Sequence, residues 1–103
     1  MTNKNDEIER LVLQAVANDY EEFDMIVHDV TKLMHGVCEA PNVIQIENAL
    51  MKSIVDRNVD AYQYSETIHQ YVATQADVQN LRTLWFYITD QGKRRLRDIE
   101  DEN

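Results

Sequence analysis

Apolar residues in the first half of the chain recur at three- and four-residue spacing. From Asp6 to Asn18 the set Ile8, Leu11, Val12, Ala15 and Val16 lines one helical face and predicts a first helix. Asn18 and Asp19 then stand three residues before Glu21 and Glu22. That is the pattern of a capping box, and it predicts a second helix from about Tyr20 to Met34. Its buried stripe is Phe23, Ile26, Val27, Val30 and Met34, and its outer face carries Glu21, Glu22, Asp24 and Asp29. Gly36 is a helix stop and Pro41 with Asn42 a restart, which predicts a third helix from about Asn42 to Arg57. Val43, Ile46, Leu50 and Ile54 are its expected buried line, flanked by Ile44, Met51 and Val55, leaving Gln45, Asn48, Lys52 and Asp56 outward. Glu47 falls inside the apolar arc, as a first-turn carboxylate favoured by the helix dipole or as a partner contact.

Beyond Arg57 the pattern changes. Val59 to Tyr64 and Leu84 to Ile88 are rich in aromatic and β-branched residues and predict two short strands. The polar stretch from Ser65 to Thr83 reads either as an extended hairpin tip or as a loop with a helical turn near Ala76 to Leu81. Thr89 ends the second strand and can cap a last helix, on which Gly92, Leu96 and Ile99 share one face. The expected class is α+β and mainly helical. The alternative is an all-α bundle in which Asp60 to Tyr71 is helical.

The segment Tyr87-Ile88-Thr89-Asp90-Gln91-Gly92-Lys93-Arg94-Arg95-Leu96 resembles the strand-to-helix junction of bacterial winged-helix transcriptional regulators. The run from Ile46 to Val59 looks like their third helix leading into a wing strand. The resemblance spans about Asp6 to Ile99 at the level of fold and names no particular family. It implies a winged helix-turn-helix of three helices, a two-stranded wing and a C-terminal helix. It also implies that the third helix enters a major groove, with Gln45, Asn48 and Lys52 facing bases and a wing around Arg82 facing a phosphate. The chemical content of the junction is independent of DNA. A cap is needed where strand turns to helix, and a residue without a side chain lets that helix pack closely.

Length and charge narrow the choice. With 103 residues and 44% apolar content the chain is expected to be a single domain, 1–103, with flexible ends at 1–5 and 100–103. No apolar run reaches the roughly 20 residues of a membrane span and no secretory signal opens the chain, so a cytoplasmic protein with no membrane contact is expected. The formal charge of −9 opposes non-specific attraction to phosphate backbones. Residues 1–60 hold twelve acids and five bases, against seven and five in 61–103, so the second part is less hostile to an anion.

Candidate chemistry is sparse. Lys93, Arg94, Arg95 and Arg97 read as a solvated helical face, with Arg94–Asp98 and Arg97–Asp101 as intrahelical pairs, rather than as a phosphate patch. Trp85, Phe86 and Tyr87 alternate between two faces of a strand, which points to packing before base stacking. Asp24 with His28, and His35 with Cys38, lack a further ligand at a metal-binding spacing, so no metal is expected. His69 reads as a surface residue, and Cys38, the only cysteine, as an inert thiol. No phosphate loop, zinc motif or nucleophile turn is present, and neither an enzyme nor a cofactor is expected.

Two functions follow as expectations. One is a regulator that reads duplex DNA through residues 42–57, as a homodimer with Leu13, Leu96 and Ile99 as candidate contacts. The other is an acidic protein-interaction module of the same fold that binds no DNA, with Glu21, Glu22 and Asp24 as candidate contacts. A third and weaker reading, an acidic surface that imitates DNA, needs a regular double row of charge.

Overall fold

The computed structural model describes residues 4–34 and 41–101. Their order is α1 (Lys4–Ala15), β1 (Glu21–Glu22), α2 (Phe23–Met34), α3 (Val43–Val55), β2 (Val59–Ser65), β3 (Gln70–Thr74), a short 3-10 turn (Leu81–Thr83), β4 (Trp85–Ile88) and α4 (Asp90–Asp101). The class is α+β: four helices and a four-stranded antiparallel sheet in the order β1-β4-β2-β3. The β2–β3 hairpin occupies the stretch that an all-helical bundle would have made helical.

One face of the sheet meets the helices. Val59 and Ala61 of β2 and Phe86 and Ile88 of β4 are buried with Val12, Leu13, Phe23, Ile26, Ile46 and Leu50 in one core. Leu13 and Ile99 are buried in that core, contrary to their expected place at a dimer contact, and α4 packs against α1. On α3 the buried line is Ile46, Leu50 and Ser53, a rotation from the expected one that leaves Val43 at the surface. Glu47 is half-buried and faces Arg82, with Arg82 Nη2 at 3.9 Å from Glu47 Oε2.

Local chemistry sets the element boundaries. Asn42 and Gln45 form a capping box: the Asn42 side chain accepts from Gln45 N–H at 2.8 Å, and Gln45 Oε1 accepts from Asn42 N–H at 3.0 Å. The expected box at Asn18 and Asp19 does not form. Glu21 and Glu22 instead pair with Phe86 and Trp85 as β1, so α2 starts at Phe23. Helix α1 stops at Ala15, and the carbonyl of Val16 accepts from Ile88 N–H at 3.0 Å, which ties the end of the first turn to the sheet.

Thr89 caps α4 as expected, its hydroxyl accepting from Gly92 N–H at 2.9 Å while donating to the carbonyl of Arg57 at 2.7 Å. The connection from β3 to β4 crosses from one side of β2 to the other. Asp77 and Asn80 fold it on itself, with Asp77 Oδ1 accepting from the amides of Gln79 and Asn80, and Leu81 and Leu84 anchor it in the core. Gly36, His35 and Cys38 lie outside the described residues.

Candidate functional site

The sheet has a second face, turned away from the helices. Strand geometry sends alternate side chains to opposite sides. With Val59 and Ala61 of β2 in the core, Asp60, Tyr62 and Tyr64 take the far side. With Phe86 and Ile88 of β4 in the core, so do Trp85 and Tyr87, as the sequence led one to expect for this aromatic run. Tyr71 of β3 stands opposite Tyr64, and Tyr20, just ahead of β1, lies across the group. All five tyrosines and the one tryptophan therefore share a face.

The rings are in contact. Tyr20 stacks on Tyr71 with centroids 3.9 Å apart and planes 7° from parallel, and meets Tyr62 edge-on at 5.0 Å. Tyr71 also meets Trp85 edge-on at 5.4 Å and Tyr64 at 5.1 Å. Each such pair contributes about 0.5–1.5 kcal/mol beyond its buried area, so the layer is held in place before any ligand arrives. It is only part-covered, and Tyr64 remains 40% exposed.

The field over this face is negative. Of the strand residues, Glu22, opposite Trp85, and Asp60 lie on this side, Glu21 pairs with the core residue Phe86, and the four strands hold not one Lys or Arg. Burial, and after it the charge of Asp60, raises the Tyr62 hydroxyl above the ordinary phenol value. Tyr71 is raised in the same way by its packed surroundings and then by Asp19.

Glu21 is raised by partial burial and then by Asp29, Asp19 and Glu22. A carboxylate raised in the folded state costs stability once it ionises, and the cost vanishes below the unfolded value of about 4.3. Glu21→Gln is expected to raise the melting temperature at pH 7 and to leave it unchanged at about pH 3.5. Equal gains at both pH values would contradict this origin.

The DNA-contact candidates fall elsewhere. Gln45, Asn48 and Lys52 do come together, in a groove of about 340 Å³ between α3 and α1 whose other wall includes Asn5, Asp6 and Glu9. Lys52 Nζ lies 3.3 Å from Asp56 Oδ2, and Gln45 is engaged in its capping box. The exposed line of α3 is Ile44, Asn48, Lys52 and Val55, so two of the three candidates stand on it between apolar residues that are 66% and 74% exposed. Arg82 is not at a hairpin tip. It stands in the 3-10 turn, its guanidinium 5.3 Å from the Phe23 ring centroid and its Nη2 facing Glu47. The tip of the β2–β3 hairpin is Glu66 to His69, without a cation of the Lys or Arg type.

Of the protein-contact candidates, both glutamates lie on β1 at one edge of the sheet, with Glu22 on the aromatic side opposite Trp85 and Glu21 opposite the core residue Phe86, and Asp24 is exposed on the first turn of α2. Among the described residues no three His, Cys, Asp or Glu side chains converge as a metal site, and no helix is long and apolar enough to cross a membrane. Among the described residues, neither expected intrahelical pair of α4, Arg94–Asp98 or Arg97–Asp101, closes; a different arginine, Arg95, reaches Glu9 of α1.

The chain matches no protein-family model, no curated protein and no solved structure.

The tyrosine layer was missed in the sequence, although a signal was there. Tyr62 with Tyr64 and Trp85 with Tyr87 are two apart in segments expected to be strands, which puts each pair on one face.

Proposed function

We propose that this chain is a non-enzymatic, winged-helix-like module that binds a basic segment of another protein through the tyrosine-rich face of its sheet. The order of three helices, a β2–β3 hairpin, a closing strand and a capped last helix supports the winged-helix plan. The hairpin takes the place of the wing. The observation that carries the functional reading is the coincidence, on one sheet face, of six contacting aromatic rings with carboxylates and no Lys or Arg. Tyr and Trp are the residues that protein interfaces favour, and their ring faces attract Arg and Lys cations.

The same features weigh against duplex DNA as the ligand. A phosphate backbone needs several cations acting together. Here the exposed line of α3 offers a single cation, Lys52, which is paired with Asp56 and set between the apolar Ile44 and Val55, Arg82 faces Glu47, and the hairpin has no Lys or Arg.

The test is a pair of anisotropy titrations at low salt, one with a labelled nonapeptide of alternating threonine and arginine, the other with labelled random duplex DNA. The peptide is expected to saturate and to weaken as salt rises, while DNA gives no saturable signal. Tyr71→Ala should weaken the peptide about tenfold, the scale of one lost aromatic anchor. Saturable DNA binding with a steep salt dependence, or no response to the peptide, would overturn the proposal.

A further inference from the structure

The two edges of this sheet are unlike. Strand β1 is two residues long and both are glutamates, which is how sheets protect an edge: by brevity and by charge. Strand β3, at the other edge, is five residues of sequence Gln-Tyr-Val-Ala-Thr, with no charge and no proline. Its only ladder partner is β2. Among the described residues, no other hydrogen bond, from backbone or side chain, reaches Gln70–Thr74. One side of β3 thus offers a row of free backbone donors and acceptors, and Val72 beside it is 45% exposed.

Resting on the reading above, we propose that the basic partner segment binds in extended form, pairing with β3 as a fifth strand. Strand addition supplies affinity through main-chain hydrogen bonds and specificity through alternate side chains. The geometry fits a basic occupant. A strand laid beside β3 sends every second side chain to the tyrosine face, level with Tyr71 and Ala73. An Arg or Lys there meets the ring of Tyr71, beside which Tyr64 stands at 5.1 Å, on a sheet without a Lys or Arg of its own. The intervening side chains fall on the other face, beside Val72. A second copy of the chain is the wrong occupant, since each copy carries −9 and its own β3 has no cation to offer.

Amide hydrogen exchange of the full chain, read by NMR with and without a saturating amount of the threonine–arginine nonapeptide, tests this. Saturation is set by the anisotropy titration. The expected result is that at least two amides within Gln70–Thr74 slow by tenfold or more, while those of β1 do not change. Unchanged β3 amides in a peptide-bound sample would overturn strand addition and leave the tyrosine face as the binding surface. Absence of peptide binding would overturn both. A free chain that sediments as a dimer with these amides already protected would give the edge to a second copy and overturn the proposed occupant.

Discussion

Gly92→Ala is expected to lower the melting temperature by about 15 °C. A Cβ at residue 92 would lie 2.0 Å from the Asn58 carbonyl oxygen and 2.7 Å from Ile88 Cγ1. Neither neighbour can step aside. The Asn58 carbonyl accepts from Thr89 N–H at 3.0 Å, Asn58 is itself buried, and Ile88 is part of the core. The strain therefore falls on α4, which must lift from the α3–β2 corner and loosen the Thr89 cap. Forcing a methyl into a packed site costs about 3 kcal/mol at the upper end of the usual range. In a domain of this size each kcal/mol is about 4–8 °C in Tm, so alanine's better helix propensity, worth about 1 kcal/mol, cannot rescue it. Thermal unfolding by circular dichroism checks this, with Lys93→Ala, an exposed neighbour, as the control. A drop of under about 3 °C would mean that α4 does not sit this close.

Arg95→Ala is expected to destabilise the fold by about 2 kcal/mol. Arg95 donates from Nε and Nη2 to the two carboxylate oxygens of Glu9, at 3.2 and 3.1 Å. Glu9 is 7% exposed, buried where α4 crosses α1, while the arginine side chain is 38% exposed. Breaking a fully buried pair costs about 3–5 kcal/mol and an exposed one about 0–1, and this pair lies between. Most of the loss is the buried carboxylate left without its cation. Glu9→Gln in the Arg95→Ala background should therefore recover about half of it, in a double-mutant cycle read by urea unfolding. A single-variant effect below about 0.5 kcal/mol would show that water already reaches Glu9.

Both predictions turn on α4, whose docking was only partly legible. Thr89 as a cap and Gly92 as a point of close approach follow from local chemistry, and both are found in those roles. Helix α3 begins where Pro41 and Asn42 place it, for the same reason. The Arg95–Glu9 contact joins residues 86 apart and has no local signature. The intrahelical pairs expected from spacing involved Arg94 and Arg97, whereas Arg95 has Ile99 four residues on and finds its carboxylate on α1.

The strands show the same division. Strands β2 and β4 are legible because one side of each is buried and the other aromatic. Strand β3 is not, since it lies on an edge and has no buried face to impose alternation on Gln70–Thr74. Strand β1 is hidden by competition: Asn18 and Asp19 ahead of two glutamates look like a helix start, and only the pairing with Trp85 and Phe86 overrides it. The candidate site assembles from these less legible parts. Tyr20 and Tyr71 are brought together by β1 and β3, so the layer could not be read from either half of the chain alone.

This moves attention from α3 to the sheet. Charge patterning made DNA an uneasy ligand, and the geometry adds that four of the ten Lys and Arg stand on α4, that Lys52 and Arg82 face carboxylates, and that none is in the β2–β3 hairpin. Of the acidic residues singled out in the sequence, Glu22 pairs with Trp85 at the edge of the proposed surface, Glu21 pairs with the core residue Phe86, and Asp24 stands on α2. That surface is a strand face, however, and not the outside of α2.

Trp85 gives the most direct view of whether that face is the binding surface, because it is the only tryptophan in the chain and touches Tyr71. The measurement is its emission during titration with the threonine–arginine nonapeptide, run beside the anisotropy of the labelled peptide. Emission is expected to shift and saturate at the same peptide concentration as anisotropy, and Tyr71→Ala to move both curves together. Saturable anisotropy with Trp85 emission unchanged would place the peptide elsewhere on the molecule and rule out the tyrosine face as its binding surface.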